Sequence, residues 1–294
     1  MKTVNEKKYN VIPNITNNFS IEVMPKTAEK IPDFNSILPR GTNVYIAHLE
    51  GTTITSMVET AKRLNQLEFN VIPHFPARLI ENKIMLEDWI KKYADAGINK
   101  ALILAGSPSK AIGDFKSSMD LLSTELFDKY SFDEIICAGH PEGNKDIDVD
   151  GTDHNLMKAL KWKSDFFERT QIKWSLTTQF CFELDPIKAW EIRLKEEGIV
   201  IPINIGVAGP ARLQTMIKYA LMCGVGPSIK VLEKRAKDLT KLLLPYSPKK
   251  FLIELANYKD ENKNSKINSV HFFPLGGIYK TTEFITEINQ TTRL

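Results

Sequence analysis

Short apolar runs alternate with amphipathic stretches along almost the whole chain. The runs at 19–25, 43–49, 69–75, 100–106, 134–140, 172–182, 201–208 and 269–275 read as strands. Between them, helical periodicity covers 54–66, 84–96, 116–129, 152–168, 185–197, 211–223, 228–244 and 247–258, and a last helix is expected at 280–289. Eight strands each followed by a helix is the count of an α/β protein of the (β/α)8 TIM barrel class. A doubly wound open sheet would alternate too, but no glycine-rich fingerprint follows the first strand. The expected organisation is a polar, extended N-terminal arm over 1–17 and a single catalytic barrel over 18–294, with 259–266 an exposed loop.

Composition narrows the classes. The 294 residues are 43% hydrophobic and 26% charged, an ordinary globular balance able to bury a sizeable core. A net charge of +3 gives no reason to expect nucleic acid. The mixed charges from Lys230 to Lys241 read as a solvated helix face. Cys137, Cys181 and Cys223 match neither a zinc nor a disulfide pattern and read as buried thiols of a reducing compartment; no metal is expected. The N-terminus lacks a signal core, and Gly198 to Ala211, the most apolar stretch, is too short and broken to span a bilayer. A cytoplasmic protein without a membrane partner is expected, and exposed barrel helices would suit a homo-oligomer.

A barrel puts its chemistry at the C-terminal ends of its strands. Polar residues gather there: His48 after strand two, His74 and Arg78 on and after strand three, Ser107 after strand four, His140 to Gly143 after strand five, Gln179 on strand six and Arg212 after strand seven. Each taken singly has a structural reading, as a hydrogen-bonding histidine, a turn glycine or a solvated arginine. On strand one, alternation puts Phe19, Ile21 and Val23 on one face and Ser20, Glu22 and Met24 on the other. If both faces are buried, desolvation raises the Glu22 pKa and suits it to a general acid; the alternative is an edge-strand Glu facing water. On strand six Ser175, Thr177, Gln179 and Cys181 share the face expected to line the lumen.

Six segments in order are similar to the methylenetetrahydrofolate reductase family. Phe19-Ser-Ile-Glu-Val-Met-Pro-Lys-Thr27 resembles its first strand, and Ile72-Pro-His74 its Pro-His strand. Gly97 to Gly106 resembles the segment that ends in Arg-Gly-Asp. His140-Pro-Glu142, Leu160-Lys-Trp-Lys163 and Thr178-Gln-Phe180 resemble its His-Pro-Glu turn, Leu-Lys-x-Lys helix and Thr-Gln-Phe strand. The likeness covers roughly residues 18 to 290. It implies reduction of 5,10-methylenetetrahydrofolate to 5-methyltetrahydrofolate, with the acid at the position of Glu22. Gln179 would meet the pterin, and Ser107 and Arg212 complete the substrate-binding set. His74, His140 and Lys163 match flavin-contact positions, with His48, Ala105, Gly106, Pro141, Glu142 and Gly143 beside them on the rim. FAD is the implied cofactor, and NADH or NADPH the implied co-substrate.

The chain also departs from that pattern. The family's Arg-Gly-Asp is Ala105-Gly-Ser107 here, and its Tyr-Pro-Glu is Ile136-Cys-Ala138. Ser107 cannot supply the charge of the missing Asp. Two routes for hydride therefore stand, through FAD or directly from the nicotinamide. A folate-dependent methyltransferase or lyase on the same barrel, and a non-catalytic folate-binding protein, are the competing classes.

Overall fold

Eight strands close into a barrel in the order β1 to β8. They are β1 Ser20–Val23, β2 Asn43–Ile46, β3 Asn70–Pro76, β4 Lys100–Leu104, β5 Glu134–Gly139, β6 Lys173–Cys181, β7 Ile203–Ala208 and β8 Ile267–Phe273. The structure, a computed structural model, describes residues 11–222 and 245–291. Its helices are α1 Pro13–Thr16, α2 Pro25–Ala28, α3 Ile54–Gln66, α4 Lys83–Asp95, α5 Ser118–Leu122, α6 Leu126–Lys129, α7 His154–Phe167, α8 Leu184–Glu196, α9 Leu213–Met222, α10 Lys249–Glu261 and α11 Ile278–Thr291. This is the expected (β/α)8 TIM barrel. The described residues fall into two compact units, one built from residues up to Ser20, Gly139–Lys158 and from Thr177 onwards, the other from Ile21–Ala138 and Ala159–Leu176.

Two elements differ from expectation. The helix expected over 116–129 is two short ones, α5 and α6. Thr124 Oγ1 donates to the Leu121 carbonyl at 2.6 Å, and Glu125 takes a left-handed φ of 56°. A hydroxyl that bonds the local backbone competes with the helical ladder and breaks it there. Within the segment expected to be an extended arm, α1 forms a single turn that buries Ile15 and Thr16. Cys223, the helix expected at 228–244 and the charges from Lys230 to Lys241 lie outside the described residues.

The helices start where side chains satisfy their first N–H groups. Thr53 accepts from Ser56 N ahead of α3, and Asn82 accepts from Met85 N ahead of α4. Asp148 accepts from Asn155 N and Leu156 N at 2.9 and 3.1 Å, fixing the first turn of α7. On the outer side of β3, the Phe75 ring meets Tyr93 of α4 at 5.3 Å and Phe127 of α6 at 5.2 Å. Two to three such buried aromatic contacts lock a helix to the strand wall.

The inner faces of the two units differ in chemistry. In the second unit Tyr45, Ile72, Leu102 and Ile136 form an apolar cluster with Leu104 against it. The parallel register sets Tyr45 opposite Ile72 and Leu102 opposite Ile136. In the first unit the equivalent positions are polar. Ser20 Oγ lies 2.8 Å from His271 Nδ1, and Ser269 Oγ donates to Asn204 Oδ1 at 2.8 Å. All four side chains are buried. Pairing among themselves satisfies them without solvent.

Candidate active site

Glu22 lies on β1, and the Val23 carbonyl next to it accepts from Ala47 N at 2.8 Å, tying β1 to the chain just past β2. The carboxyl turns to the inner face, while Ile21 and Val23 are buried on the other. Its side chain is 22% exposed, so it is sheltered but not sealed. Burial alone pushes its pKa up to about 7. The expectation of a partly desolvated carboxylic acid therefore holds, and the water-facing reading does not.

His74 is the nearest polar neighbour. Its Nε2 stands 3.5 Å from Glu22 Oε2. The distance is that of an ion pair, but the imidazole carries no charge. Burial first, and the charge of His48 second, push His74 down to about 3. Near neutrality the pair is thus an uncharged imidazole beside a carboxyl in mid-titration. Tyr45 meets the His74 ring edge-on at 6.2 Å, bringing the apolar cluster of β2 to β5 up to the site. That surrounding is what desolvates both groups.

His48 follows β2 and is 6% exposed. One face of its ring stacks on Trp89 at 4.8 Å. Its Nε2 lies 3.0 Å from the Thr52 carbonyl oxygen. Burial lowers its pKa, partly offset by the bond to Thr52.

The turn after β4 carries Ala105, Gly106 and Ser107. Gly106 has a φ of 96°, and a Cβ there would come 2.9 Å from Pro76 Cβ. Only glycine suits both demands. Ser107 is exposed. Arg78, after β3, holds the loop that follows. Its guanidinium donates to the carbonyls of Pro108 and Lys116 at 2.9 and 3.2 Å. Its own N–H donates to Ala105 O at 2.9 Å. Arg78 is therefore a loop clamp, which its sequence position on the rim does not reveal.

Lys163 sits on the inner side of α7 and is 6% exposed. Its ammonium is close enough to the buried Cys137 thiol to favour the thiolate against the stronger effect of burial, which raises that pKa. Cys137 pairs with Ile103 in the register and so lies on the face opposite Leu102 and Ile136. Lys163 thus covers the outer wall of β5, its stem packed among apolar groups.

In the first unit Gln179 is half-buried on β6. Thr178 points outward: its Oγ1 accepts from Gly206 N at 2.8 Å, and its methyl lies beside Gly139 under Trp190. Alternation then turns Gln179 inward, as expected. His140, Pro141, Glu142 and Gly143 form a half-buried turn after β5, in which Gly143 N donates to the His140 carbonyl at 3.0 Å and Gly143 has a φ of 78°. Arg212 is exposed and borders a groove of about 1110 Å³ with Gln214, Tyr246, Lys280 and Glu283.

The contact the sequence missed is the one between Glu22 and His74. β1 and β3 are not neighbours in the barrel order, so no pattern along the chain couples them. Alternation on β3, which sets Ile72 and His74 on one face, was the available signal. Among the described residues there is no group of three or more His, Cys, Asp or Glu that could hold a metal ion, and no helix is long and apolar enough to cross a membrane.

No protein-family model matches the chain. Solved structures match its fold over nearly the whole length. One is an uncharacterised protein from Clostridium thermocellum, described as binding two copies of 5-methyl-5,6,7,8-tetrahydrofolic acid; the TM-score is 0.58 at 12% identity, over 96% of this chain and 99% of that one. Another is 7,8-dihydropteroate synthase from Vibrio fischeri, with a TM-score of 0.45 at 10% identity over 95% of each chain. At such identities the likeness is one of fold alone.

Proposed function

We propose that this barrel binds a reduced folate and reduces 5,10-methylenetetrahydrofolate to 5-methyltetrahydrofolate, with Glu22 as the acid. The observation that carries this reading is a sheltered carboxyl whose pKa is pushed up to about 7 beside an uncharged histidine. The methylene bridge is inert until N10 is protonated. Glu22 gives its proton to N10, the C–N10 bond breaks, and an N5 iminium ion remains. Hydride from the reductant adds to the iminium carbon and leaves an N5-methyl group. A general acid serves best with a pKa near the working pH, as here. The Clostridium thermocellum protein of similar fold is described as binding 5-methyl-5,6,7,8-tetrahydrofolic acid, which would be the product of this reaction.

Hydride comes from NADH or NADPH, either directly or through FAD. Of two groups that the resemblance assigns to the flavin, His74 faces Glu22 and Lys163 lies against the outer wall of β5 beside Cys137. These placements support the direct route. In the first unit Gln179 offers an inward amide of the kind a pterin edge needs and Arg212 an exposed cation, and in the second unit Ser107 offers an exposed hydroxyl.

The test is oxidation of NADH and NADPH by the purified protein with methylenetetrahydrofolate. The visible spectrum is recorded alongside. A colourless protein that turns over supports direct transfer, and stoichiometric flavin bands support the FAD route. Glu22→Gln should lower turnover by about 10²- to 10⁴-fold while leaving folate affinity in place. Folate binding with neither nicotinamide oxidised would overturn reduction and move the assignment to methyl transfer, a lyase step or binding alone.

A further inference from the structure

Glu22 and His74 approach each other without bonding. The 3.5 Å between Nε2 and Oε2 exceeds a hydrogen bond, and His74 Nε2 is buried with no partner. His48 shows a similar economy. A carbonyl only accepts, so the contact with Thr52 O fixes the proton of His48 on Nε2 and leaves Nδ1 a lone pair, also buried and unpartnered. Unpaired polar atoms in an apolar surrounding are costly to keep. A group that is idle at rest and bonded during reaction would justify that cost.

We propose that His74 is a positioning residue for Glu22: its Nε2–H stands unbonded while the carboxyl holds its proton, and closes on Oε2 as that proton leaves. The identity of the proton's acceptor, the folate N10, rests on the function proposed above; the pairing itself does not. In the step, the Glu22 O–H bond breaks, the acceptor nitrogen gains the proton, and the carboxylate left behind accepts from Nε2–H. His74 neither gains nor loses a proton. Solvent restores the acid through the accessible part of the side chain after product leaves.

Charge-assisted hydrogen bonds are short, about 2.7–2.9 Å, so the pair has room to tighten once a charge appears. An interaction made only then accelerates the step instead of deepening the resting state. The surroundings agree. Burial is the single cause acting on Glu22, so no charged side chain competes for it. The titratable groups beside His74 are His48, past β2, and Tyr45, on β2. A cation on His74 is disfavoured by burial and by His48, which keeps it an uncharged donor.

The decisive measurement is infrared titration of the protonated carboxyl, assigned to Glu22 by its loss in E22Q. In H74L the midpoint should rise by about one to two pH units, because the carboxylate loses its donor. In H74Q, whose amide nitrogen takes the place of Nε2, it should stay near that of the unsubstituted protein. The alkaline limb of kcat should move in the same order, with KM changed less than about twofold. An H74L midpoint equal to that of the unsubstituted protein overturns the proposal. Should H74L fail to fold, H74F keeps the ring without the N–H and is read in the same way. Nitrogen NMR at pH 8 needs no variant: His74 must carry its proton on Nε2, and an Nδ1–H tautomer overturns the pairing. Neither spectroscopic readout requires substrate, so a protein inert toward folates would still decide this point.

Discussion

A carboxyl group held at about 7 in the folded state and near 4.5 in the unfolded chain links stability to pH in a defined direction. Between those values the folded state binds more protons, so stability falls as pH rises from about 4.5 to 7 and stays low above it. The difference corresponds to about 3 kcal/mol. His74 acts in the opposite direction. Its pKa is about 3 in the fold and 6.5 outside it, so its contribution is intact above 6.5 and is lost as pH falls toward 3. Glu22→Gln removes the first dependence and leaves the second. Urea unfolding at pH 5 and pH 8 should show the variant gaining up to about 3 kcal/mol over the unsubstituted protein at pH 8 and much less at pH 5. Such a gain alongside lost turnover is the expected mark of a functional residue kept at the expense of stability.

At the scale of elements, the loop between β4 and α5 is fastened by backbone bonds and by Arg78, besides the buried Phe115. Ile112 N donates to the Arg78 carbonyl at 3.1 Å, and Asp114 N donates to the Glu81 carbonyl at 2.8 Å. Gly113 passes so close that a Cβ would lie 1.9 Å from the Glu81 oxygen. Arg78→Ala should cost about 0.5–1.5 kcal/mol, mainly the bond to the part-buried Pro108 carbonyl, since the exposed Lys116 carbonyl can turn to water. Hydrogen exchange of the 105–117 segment would speed up locally while the strands stay protected. Arg78→Lys should rescue little, since one ammonium cannot span both carbonyls as the guanidinium fork does.

None of that clamp is visible in the sequence, where Arg78 is one more cation on the rim. Periodicity reports which face of a strand or helix is buried, and it set all eight strands and the inward turn of Glu22 and Gln179 in place. It says nothing about which side chains meet across non-adjacent elements. For the same reason the neighbours of His74 and Lys163, Glu22 for one and Cys137 on the outer wall of β5 for the other, could not be read from the chain. The broken helix at 116–129 was hidden differently: Thr124 and Glu125 are compatible with a helix, and only their local bonds and dihedrals break it.

At the scale of the whole molecule, a closed barrel has no sheet edge, and the entry of its last strand is fastened by the helices around it as well as by strand pairing. Glu191 of α8 does this in the first unit. It is 1% exposed, and its Oε2 accepts from Tyr258 of α10 at 2.8 Å. Its Oε1 accepts from Ser265 Oγ at 3.0 Å and from Lys266 N, at the entry to β8, while Lys195 Nζ stands 3.4 Å away. One carboxylate thereby joins two helices to the start of the last strand, just where the Lys266 carbonyl accepts from Ile203 N of β7 at 2.9 Å. Burying a charge is tolerable only when its lone pairs are filled, and here each oxygen has a donor. Glu191→Ala would take the acceptor from the half-buried Tyr258 hydroxyl and Lys266 N–H together, and should cost about 1–3 kcal/mol. Glu191→Gln keeps the bonds to Oε1, loses the attraction of the half-exposed Lys195 and turns the acceptor of the Tyr258 hydroxyl into a donor that this hydroxyl can accept from, so the loss should be the smaller of the two. Thermal melts of the two variants measure this ordering. If they melt together near the unsubstituted protein, the entry of β8 is held by its pairing with β7 alone, and the buried carboxylate contributes nothing to it.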